Sequence, residues 1–462
     1  MRSTSSHSST RRLLCWGLLL GFIGCVPARA DVVLSAQSIS LPGLHLRSVT
    51  LRLGEDRAGA ITVQLQAERA DVPSMGWRSL PLDLAGSLRR NDQLSWILEG
   101  NLKLARAPGG LLSNARVKVQ LSPATNTLLI DVVQGNGTVN GWLPLDQPSH
   151  AQIRLVNVPA DWLQGLLGTV WSGRTTSGRL DAELALDMSD PGLRSSGRFT
   201  LNGVGFDTPG GTLAGQNVSG SGRFSLDSSD GPARINLDSS LRGGELLLGP
   251  IYAKLPDHPV QLSLQAVAHA GAVELERLRI NDADALQLEG ALTFDASGAL
   301  KTLRLDQLHA SFPAAYTRYG QAWLDTLGLH GLKIAGDLSA SLDLHGDVPR
   351  SFSFSTAGLD LADADGRLAV GGLRGGLDWA AKGDRPATSL AWRSLKFYRV
   401  EGGAAQSRWL SHDGVLSLQQ SLDVPVLHGQ LRIGQLDWSP GASTGQRLAT
   451  SLTVTGIDMA AF

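Results

Sequence analysis

The chain has 462 residues with a formal net charge of -1 and a pI near 6.8, which gives no support to nucleic-acid binding, since that calls for a basic patch. Charged residues make up 18% of the sequence while glycine occurs 54 times, a composition that favours strands and tight turns over long solvated helices. Aromatic residues at 5% leave few large side chains for a thick core, but an apolar content of 42% is too high for a disordered chain.

The first thirty residues have the features of a targeting segment. Arg11 and Arg12 precede an apolar run from Leu13 to Val26, and Ala28-Arg29-Ala30 provides a cleavage site. The run is shorter than the ~20 residues with which a helix crosses a bilayer, so residues 1–30 are expected to be a cleaved signal peptide. Two alternatives stay open: a retained inner-membrane anchor, and a lipoprotein, because residues 22–25 approach a lipobox sequence.

Residues 31–158 alternate steadily between apolar and polar side chains. Pairs such as Leu51 with Leu53 and Leu102 with Leu104 indicate short strands, and glycine, Asn-Asp or Pro-Gly sequences separate them. No helix-length pattern lies between these strands to make parallel crossovers. We therefore predict an N-terminal segment built as a meander of hairpins.

Two short helices are predicted, each led by a proline and rich in tryptophan, tyrosine and leucine. The first follows Pro159, and the second follows Phe312-Pro313. Either helix could plug one side of a groove or cap a repeat, or it could serve as a connector packed on the sheet, and these roles stay open. The residues at helical spacing are Trp162, Leu163, Leu166 and Leu167 in the first and Tyr316, Tyr319, Trp323, Leu324 and Leu327 in the second.

The sequence that follows each helix is a long internal repeat. The strand pattern from Gly178 to Leu186 returns from Gly336 to Leu344, and the pattern from Phe199 to Phe224 returns from Phe354 to Trp379. A repeat built of strands indicates growth by added units, so we assign residues 159–311 to a first groove repeat and residues 312–462 to a second one, whose end looks incomplete.

The predicted sheet is too long for one globular core. About 28 strands at roughly 4.8 Å per strand would extend on the order of 130 Å. Its apolar face must be covered by a second sheet, closed into a barrel, or curled into a trough that holds an apolar guest. The apolar side chains are of moderate size, and abundant glycine lets strands bend sharply, so we favour the trough. The predicted fold is therefore all-β, an elongated, curled antiparallel sheet that forms a U-shaped groove. The candidate lining residues are Leu180, Leu184, Leu186, Phe199, Leu201, Phe224, Leu338, Leu342, Leu344, Phe354, Leu368 and Trp379.

These patterns resemble the exported AsmA-like and TamB-like proteins of Gram-negative envelopes, and most nearly the YdbH branch. The likeness lies in the proline-led helices, the strand at 178–186, the Phe206 to Leu213 turn and strand, and the closing Leu452 to Met459 segment. It implies a repeating β-groove that carries phospholipids between the inner and outer membranes. Many members keep an N-terminal anchor and most are longer, so this chain is either a fragment or a short relative.

Sequence patterns that suggest catalysis or metal binding have simpler interpretations. Gly441 to Gly445 matches G-x-S-x-G, but an alternating run follows where a helix is needed, so we expect a polar hairpin loop. The histidines are scattered singly, and the acid pairs Asp282 with Asp284 and Asp363 with Asp365 are expected to be solvated turn carboxylates. Cleavage would also remove Cys15 and Cys25, so thiolate chemistry is not expected.

We therefore expect a non-enzymatic periplasmic protein without cofactor or metal, whose partners are phospholipid and inner- or outer-membrane proteins of the envelope. An envelope assembly factor that helps outer-membrane protein biogenesis through exposed sheet edges is the alternative. Two other classes fit less well. For an outer-membrane barrel, the sequence lacks the apolar face expected next to Phe462. For a β-solenoid adhesin, it lacks short regular repeats.

Overall fold

The computed structural model describes residues 31–41, 44–56, 59–73, 77–167, 172–188, 192–211, 213–229, 231–248, 251–269, 272–326, 328–441 and 445–457. The predicted signal peptide lies outside the described residues, as do Leu327, Ser443 and the side chains of Leu166, Leu167 and Trp323. Strands account for 71% of the described residues and helices for 5%. The all-β prediction is confirmed.

The alternation of apolar and polar residues gives strands throughout the chain, because alternate side chains of a strand point to opposite faces. The strands before the repeat are β1 (Val32–Leu41), β2 (Leu44–Glu55), β3 (Ile61–Val72), β4 (Trp77–Arg90), β5 (Trp96–Leu104), β6 (Ala115–Ser122), β7 (Thr127–Gln134), β8 (Gly137–Pro144) and β9 (His150–Pro159). Those of the first copy and its continuation are β10 (Arg174–Asp187), β11 (Arg194–Asp207), β12 (Leu213–Asp227), β13 (Ala233–Arg242), β14 (Glu245–Leu248), β15 (Ile251–Lys254), β16 (Val260–His269), β17 (Ala272–Asp282), β18 (Leu286–Phe294) and β19 (Leu300–Phe312).

The second copy and the C-terminal part are built in the same way, with shorter strands towards the end. They comprise β20 (Lys333–His345), β21 (Val348–Ala362), β22 (Leu368–Ala380), β23 (Thr388–Trp392), β24 (Ser394–Phe397), β25 (Val400–Gly402), β26 (Ala405–His412), β27 (Val415–Leu418), β28 (Leu422–Val426), β29 (Gly429–Ser439) and β30 (Arg447–Thr455). All thirty described strands belong to one sheet, and every recorded strand pair is antiparallel. The predicted long antiparallel sheet is confirmed.

The sheet branches at one strand in each copy of the repeat. One end of β12 pairs with β14 and its other end pairs with β13, and β22 pairs in the same way with β24 and β23. The backbone also repeats: Gly178 and Gly336 have φ of 98° and 108°, and Asn217 and Gly372 have φ of 55° and 62°. The sequence repeat is therefore a repeat of backbone geometry.

The two rims of the sheet, where strands end, differ in construction. One rim, here called the turn rim, consists of short turns such as residues 91–95 and 295–299. The other, the capped rim, carries two helical segments. The first is a 3₁₀ turn (Ala160–Leu163) continuing into α1 (Gln164–Leu167), and the second is a π-helical turn (Tyr316–Gly320) continuing into α2 (Gln321–Thr326). Both predicted helices are confirmed.

Buried residues concentrate near the capped rim. Trp162 packs with Leu155, Val158 and Leu180, and Tyr316 packs with Leu332 and Ile334, so each helical segment covers part of the apolar face. The sheet also curls. Trp77 at the start of β4 packs against the cluster of buried residues from β2 to β5 and also against the cluster that contains Leu155 and Val158 of β9 and Leu180 of β10.

One sequence prediction is wrong. Asp282 is fully buried and Asp363 is 8% exposed, whereas they were expected to be solvated turn carboxylates. Both are enclosed because they receive hydrogen bonds, Asp282 from Arg318 and Tyr319 and Asp363 from the backbone N–H of Leu368. Their sequence neighbours Asp284 and Asp365 are exposed, as expected.

Candidate functional site

The candidate site is an apolar row of residues that crosses eighteen strands without a polar interruption. Each residue is the direct cross-strand partner of the next, so their side chains share one face of the sheet. The row, here called the central row, consists of Ile61, Leu88, Leu98, Val119, Ile130, Gly141, Ile153, Leu184, Gly197, Phe224, Leu237, Leu264, Leu278, Gly290, Leu305, Leu342, Phe352 and Trp379. At roughly 4.8 Å per strand it extends about 80 Å along the sheet.

The central row is partly accessible along most of its length. All of its members are half-buried except Gly290 and Trp379, which are buried. Residues inside a two-layer core are buried, and sixteen of the eighteen members of the row are not. The row is therefore an apolar surface that is accessible in part, within a curled sheet.

The opposite face of the same strands is charged. Glu183, the neighbour of Leu184, pairs with Arg198 at 2.7 Å, and Arg223, the neighbour of Phe224, pairs with Asp238 at 3.3 Å. Further along, Arg279 lies 2.8 Å from Glu289 and lowers the pKa of that carboxyl group by a hydrogen bond. The two faces thus differ in polarity here, because successive side chains along a strand point to opposite faces.

Most of the predicted lining residues lie in this surface. Leu184, Phe224, Leu342 and Trp379 belong to the central row. Phe199 and Phe354 lie in the adjacent row towards the capped rim, and Leu186 and Leu344 lie in the adjacent row towards the turn rim. The rings of Phe199 and Phe224 are 6.4 Å apart, so aromatic contact joins two of these rows.

Four predicted lining residues have other surroundings. Leu180 is buried beside Trp162 under the first helical segment, with Leu201 as its cross-strand partner. Leu338 pairs with Ala310 near the capped rim, and Leu368 pairs with Phe397 of β24. Trp379 belongs to the central row but, unlike most of its members, is fully buried. Its Nε1 donates a hydrogen bond to the carbonyl oxygen of Gly414 at 2.9 Å.

The central row ends in an aromatic cluster. Phe352 of β21 stacks on Trp379 of β22 with ring centroids 5.4 Å apart, and Trp438 of β29 approaches Phe352 at 5.7 Å. Since β29 is separated from β21 by several strands of the sheet, this contact shows that the curl brings the C-terminal strands over the row. The cluster closes the row at this end.

Sequence reasoning missed the members of the row that lie outside the two matching stretches, residues 178–224 and 336–379. Ile61, Leu98, Ile153, Leu264 and Leu305 occupy the same row as the predicted residues. Their alternating pattern was visible in the sequence, but only the register between strands shows that they are continuous with Leu184 and Leu342.

No family model, no curated protein and no solved structure matches the chain. Among the described residues, no helix has both the length and the apolar character needed to cross a membrane. Within the same residues, no group of three or more histidine, cysteine, aspartate or glutamate side chains is placed to hold a metal ion.

Proposed function

We propose that this chain is a non-enzymatic periplasmic lipid-handling protein, which holds or conducts phospholipid acyl chains along its apolar groove between the inner and outer membranes. The observation that carries the proposal is the central row, from Ile61 to Trp379, half-buried along most of its length and uninterrupted by polar residues. The resemblance to AsmA-like and TamB-like proteins and the predicted signal peptide support the envelope location.

The physical basis is non-specific burial of hydrocarbon. Each CH₂ group removed from water contributes about 0.8 kcal/mol, so an acyl chain is retained without any directed polar contact. An unbroken apolar row also lets the chain move from one strand to the next without meeting a desolvated polar group, which would raise a barrier.

Site-specific photocrosslinking tests this function. A photoreactive side chain at Leu184, Phe224 or Leu264 is expected to crosslink phospholipid during expression, and organic extraction of the purified chain is expected to release phospholipid. The matched controls are Glu183 and Arg223, which neighbour two of these positions but lie on the charged face. Equal crosslinking on both faces, or no lipid in the extract, would contradict the proposal.

A substitution within the row gives a second readout. Leu264→Asp places a carboxylate at the middle of the central row, where its cross-strand partners are Leu237 and Leu278. We expect crosslinking at Phe224 to fall several-fold, because an ionised group does not enter an apolar layer without a partner. Gln265→Asp is the control, since Gln265 neighbours Leu264 on the charged face, is exposed, and pairs with Asn236 and Arg277.

A second candidate function is an envelope assembly factor that guides outer-membrane proteins. The observation in its favour is β30, in which all nine residues are exposed and which pairs with β29 alone among the described strands. A free strand edge of this kind can accept a strand from another chain. Recovery of barrel-assembly proteins, with no phospholipid, on affinity-purified chain would favour this function over lipid handling.

A further inference from the structure

An exposed aromatic pair lies at the tip of the hairpin formed by β24 and β25. Phe397 and Tyr398 are 65% and 58% exposed, among the most exposed large apolar or aromatic side chains described. Their rings meet edge to face with centroids 5.0 Å apart, so the two side chains form one projecting unit. Large aromatic side chains are normally buried, and an exposed pair at a tip indicates an interaction surface.

The turn that presents this pair holds Tyr398 in a backbone conformation that is unfavourable for a bulky residue. Phe397 pairs with Val400, so Tyr398 and Arg399 form a two-residue turn, and Tyr398 has φ of 56°. Turns of this length favour Asn-Gly because they require positive φ, which is uncommon for bulky residues. A tyrosine here is therefore not explained by turn formation.

Basic residues flank the aromatic pair. Lys396 precedes it and Arg399 follows it. Glu401 lies opposite Lys396 in register, but within the described part of the chain neither Lys396 nor Arg399 has an ion pair within 4.0 Å. The neighbouring Arg367, by contrast, is neutralised by Asp363 at 3.2 Å and Asp365 at 2.8 Å.

The first copy of the repeat does not share this tip. Its equivalent hairpin is formed by β14 and β15, in which Leu248 pairs with Ile251, and the two residues between them in the sequence are Gly249 and Pro250. A glycine and a proline are ordinary turn residues. The aromatic and basic residues are thus a feature of one hairpin and not of the repeated architecture.

We propose that the hairpin tip at Phe397 and Tyr398 docks on an anionic lipid bilayer surface. Aromatic side chains with one apolar and one polar end prefer the level of the lipid headgroups, and adjacent lysine and arginine side chains are attracted to anionic lipids. The tip lies at the capped rim, beside the turn that joins β21 and β22, so this rim faces the bilayer. The proposal does not depend on what the groove holds.

Vesicle co-sedimentation tests the proposal with the purified chain. We expect binding to vesicles of phosphatidylcholine and phosphatidylglycerol, and weaker binding to phosphatidylcholine alone. The double variant Phe397→Thr with Tyr398→Asn is expected to bind at least tenfold more weakly. Asparagine tolerates positive φ and threonine favours strands, so this variant keeps or improves the hairpin, and loss of binding is not a consequence of unfolding.

A charge variant separates the two parts of the surface. Lys396→Gln with Arg399→Gln is expected to weaken binding to the anionic vesicles by roughly fivefold for each residue and to leave binding to phosphatidylcholine unchanged. Trp142→Thr is the control for aromatic removal, because Trp142 is 38% exposed and lies on the charged face, away from the hairpin. It should bind as the unmodified chain does.

Two results would overturn the proposal. One is that the unmodified chain fails to sediment with anionic vesicles. The other is that the Phe397→Thr, Tyr398→Asn variant sediments as well as the unmodified chain, which would place the membrane contact elsewhere.

Discussion

At the scale of single residues, the clearest departure from a simple sheet is the buried carboxylate Asp282 at the end of β17. Oδ1 lies 2.7 Å from Nε2 of His258, while Oδ2 accepts hydrogen bonds from Arg318 at 2.7 Å and Tyr319 at 2.8 Å. Burial alone would raise the pKa of Asp282, but these hydrogen bonds outweigh it and the pKa is lowered. The carboxylate therefore fixes the second helical segment to the sheet.

Asp282→Asn is expected to destabilise the protein by about 3 kcal/mol, because removing one partner of a buried ion pair leaves Arg318 uncompensated. A group with a lowered pKa stabilises the fold above its unfolded pKa of about 3.9, and this stabilisation is lost as the pH falls through the folded value. In urea unfolding, the difference in free energy of unfolding between the variant and the unmodified chain should therefore be largest at neutral pH and shrink below about pH 4.

Asp284→Asn is the matched control. Asp284 is exposed and lies 4.0 Å from His258, so its loss should change stability by less than about 0.5 kcal/mol at any pH. A pH-independent difference for Asp282→Asn would contradict the assigned role of its charge.

At the scale of elements, the two helical segments decide which part of the apolar face is covered. Trp162 is 6% exposed and packs on Leu155, Val158 and Leu180. The loop at Pro108–Gly110 lies against the same segment, since a side chain at Gly109 would meet the carbonyl oxygen of Asp161. The first helical segment is therefore a connector that packs on the sheet and covers part of its apolar face.

Trp162→Ala is expected to lower the free energy of unfolding by about 3–5 kcal/mol, because it leaves a cavity between the helical segment and the sheet. Trp142→Ala makes the same chemical change on the exposed charged face and should have an effect of less than about 1 kcal/mol. Urea denaturation followed by far-ultraviolet circular dichroism measures both. Equal losses for the two variants would contradict the packing role of the segment.

At the scale of the whole molecule, one sheet presents an apolar face and a charged face over the same strands. The ion pairs of the charged face are exposed, as in Arg223 with Asp238, and such pairs contribute little to stability. The apolar face is enclosed at the capped rim and by the cluster of Phe352, Trp379 and Trp438, and is half-buried in between.

The division between an electrostatic contact at the hairpin tip and an apolar contact in the central row predicts different salt dependence for the two proposed lipid contacts. Raising the ionic strength from about 0.1 M to 1 M shortens the Debye length from roughly 10 Å to 3 Å. Docking through Lys396 and Arg399 should weaken several-fold, while lipid crosslinking at Leu184 and Phe224 should change by less than about twofold, because apolar burial is not screened. Co-sedimentation and crosslinking at both salt concentrations measure the two effects, and a parallel loss would contradict the division.

The sequence by itself determined the class of the fold, the repeat and both helical segments. Strand alternation and proline-led helical spacing are local patterns, so they are visible without knowing which strands are neighbours. Eight of the twelve predicted lining residues lie on the central row or beside it, because the alternation also assigns each side chain to one face of its strand.

Only the tertiary structure decided the rest. Register joins Ile61 to Trp379 through eighteen strands, curl brings Trp438 onto Phe352, and a helical turn encloses Asp282. Each of these depends on pairing or packing between residues far apart in the chain, and a one-residue shift in register would move every apolar side chain of a strand to the charged face.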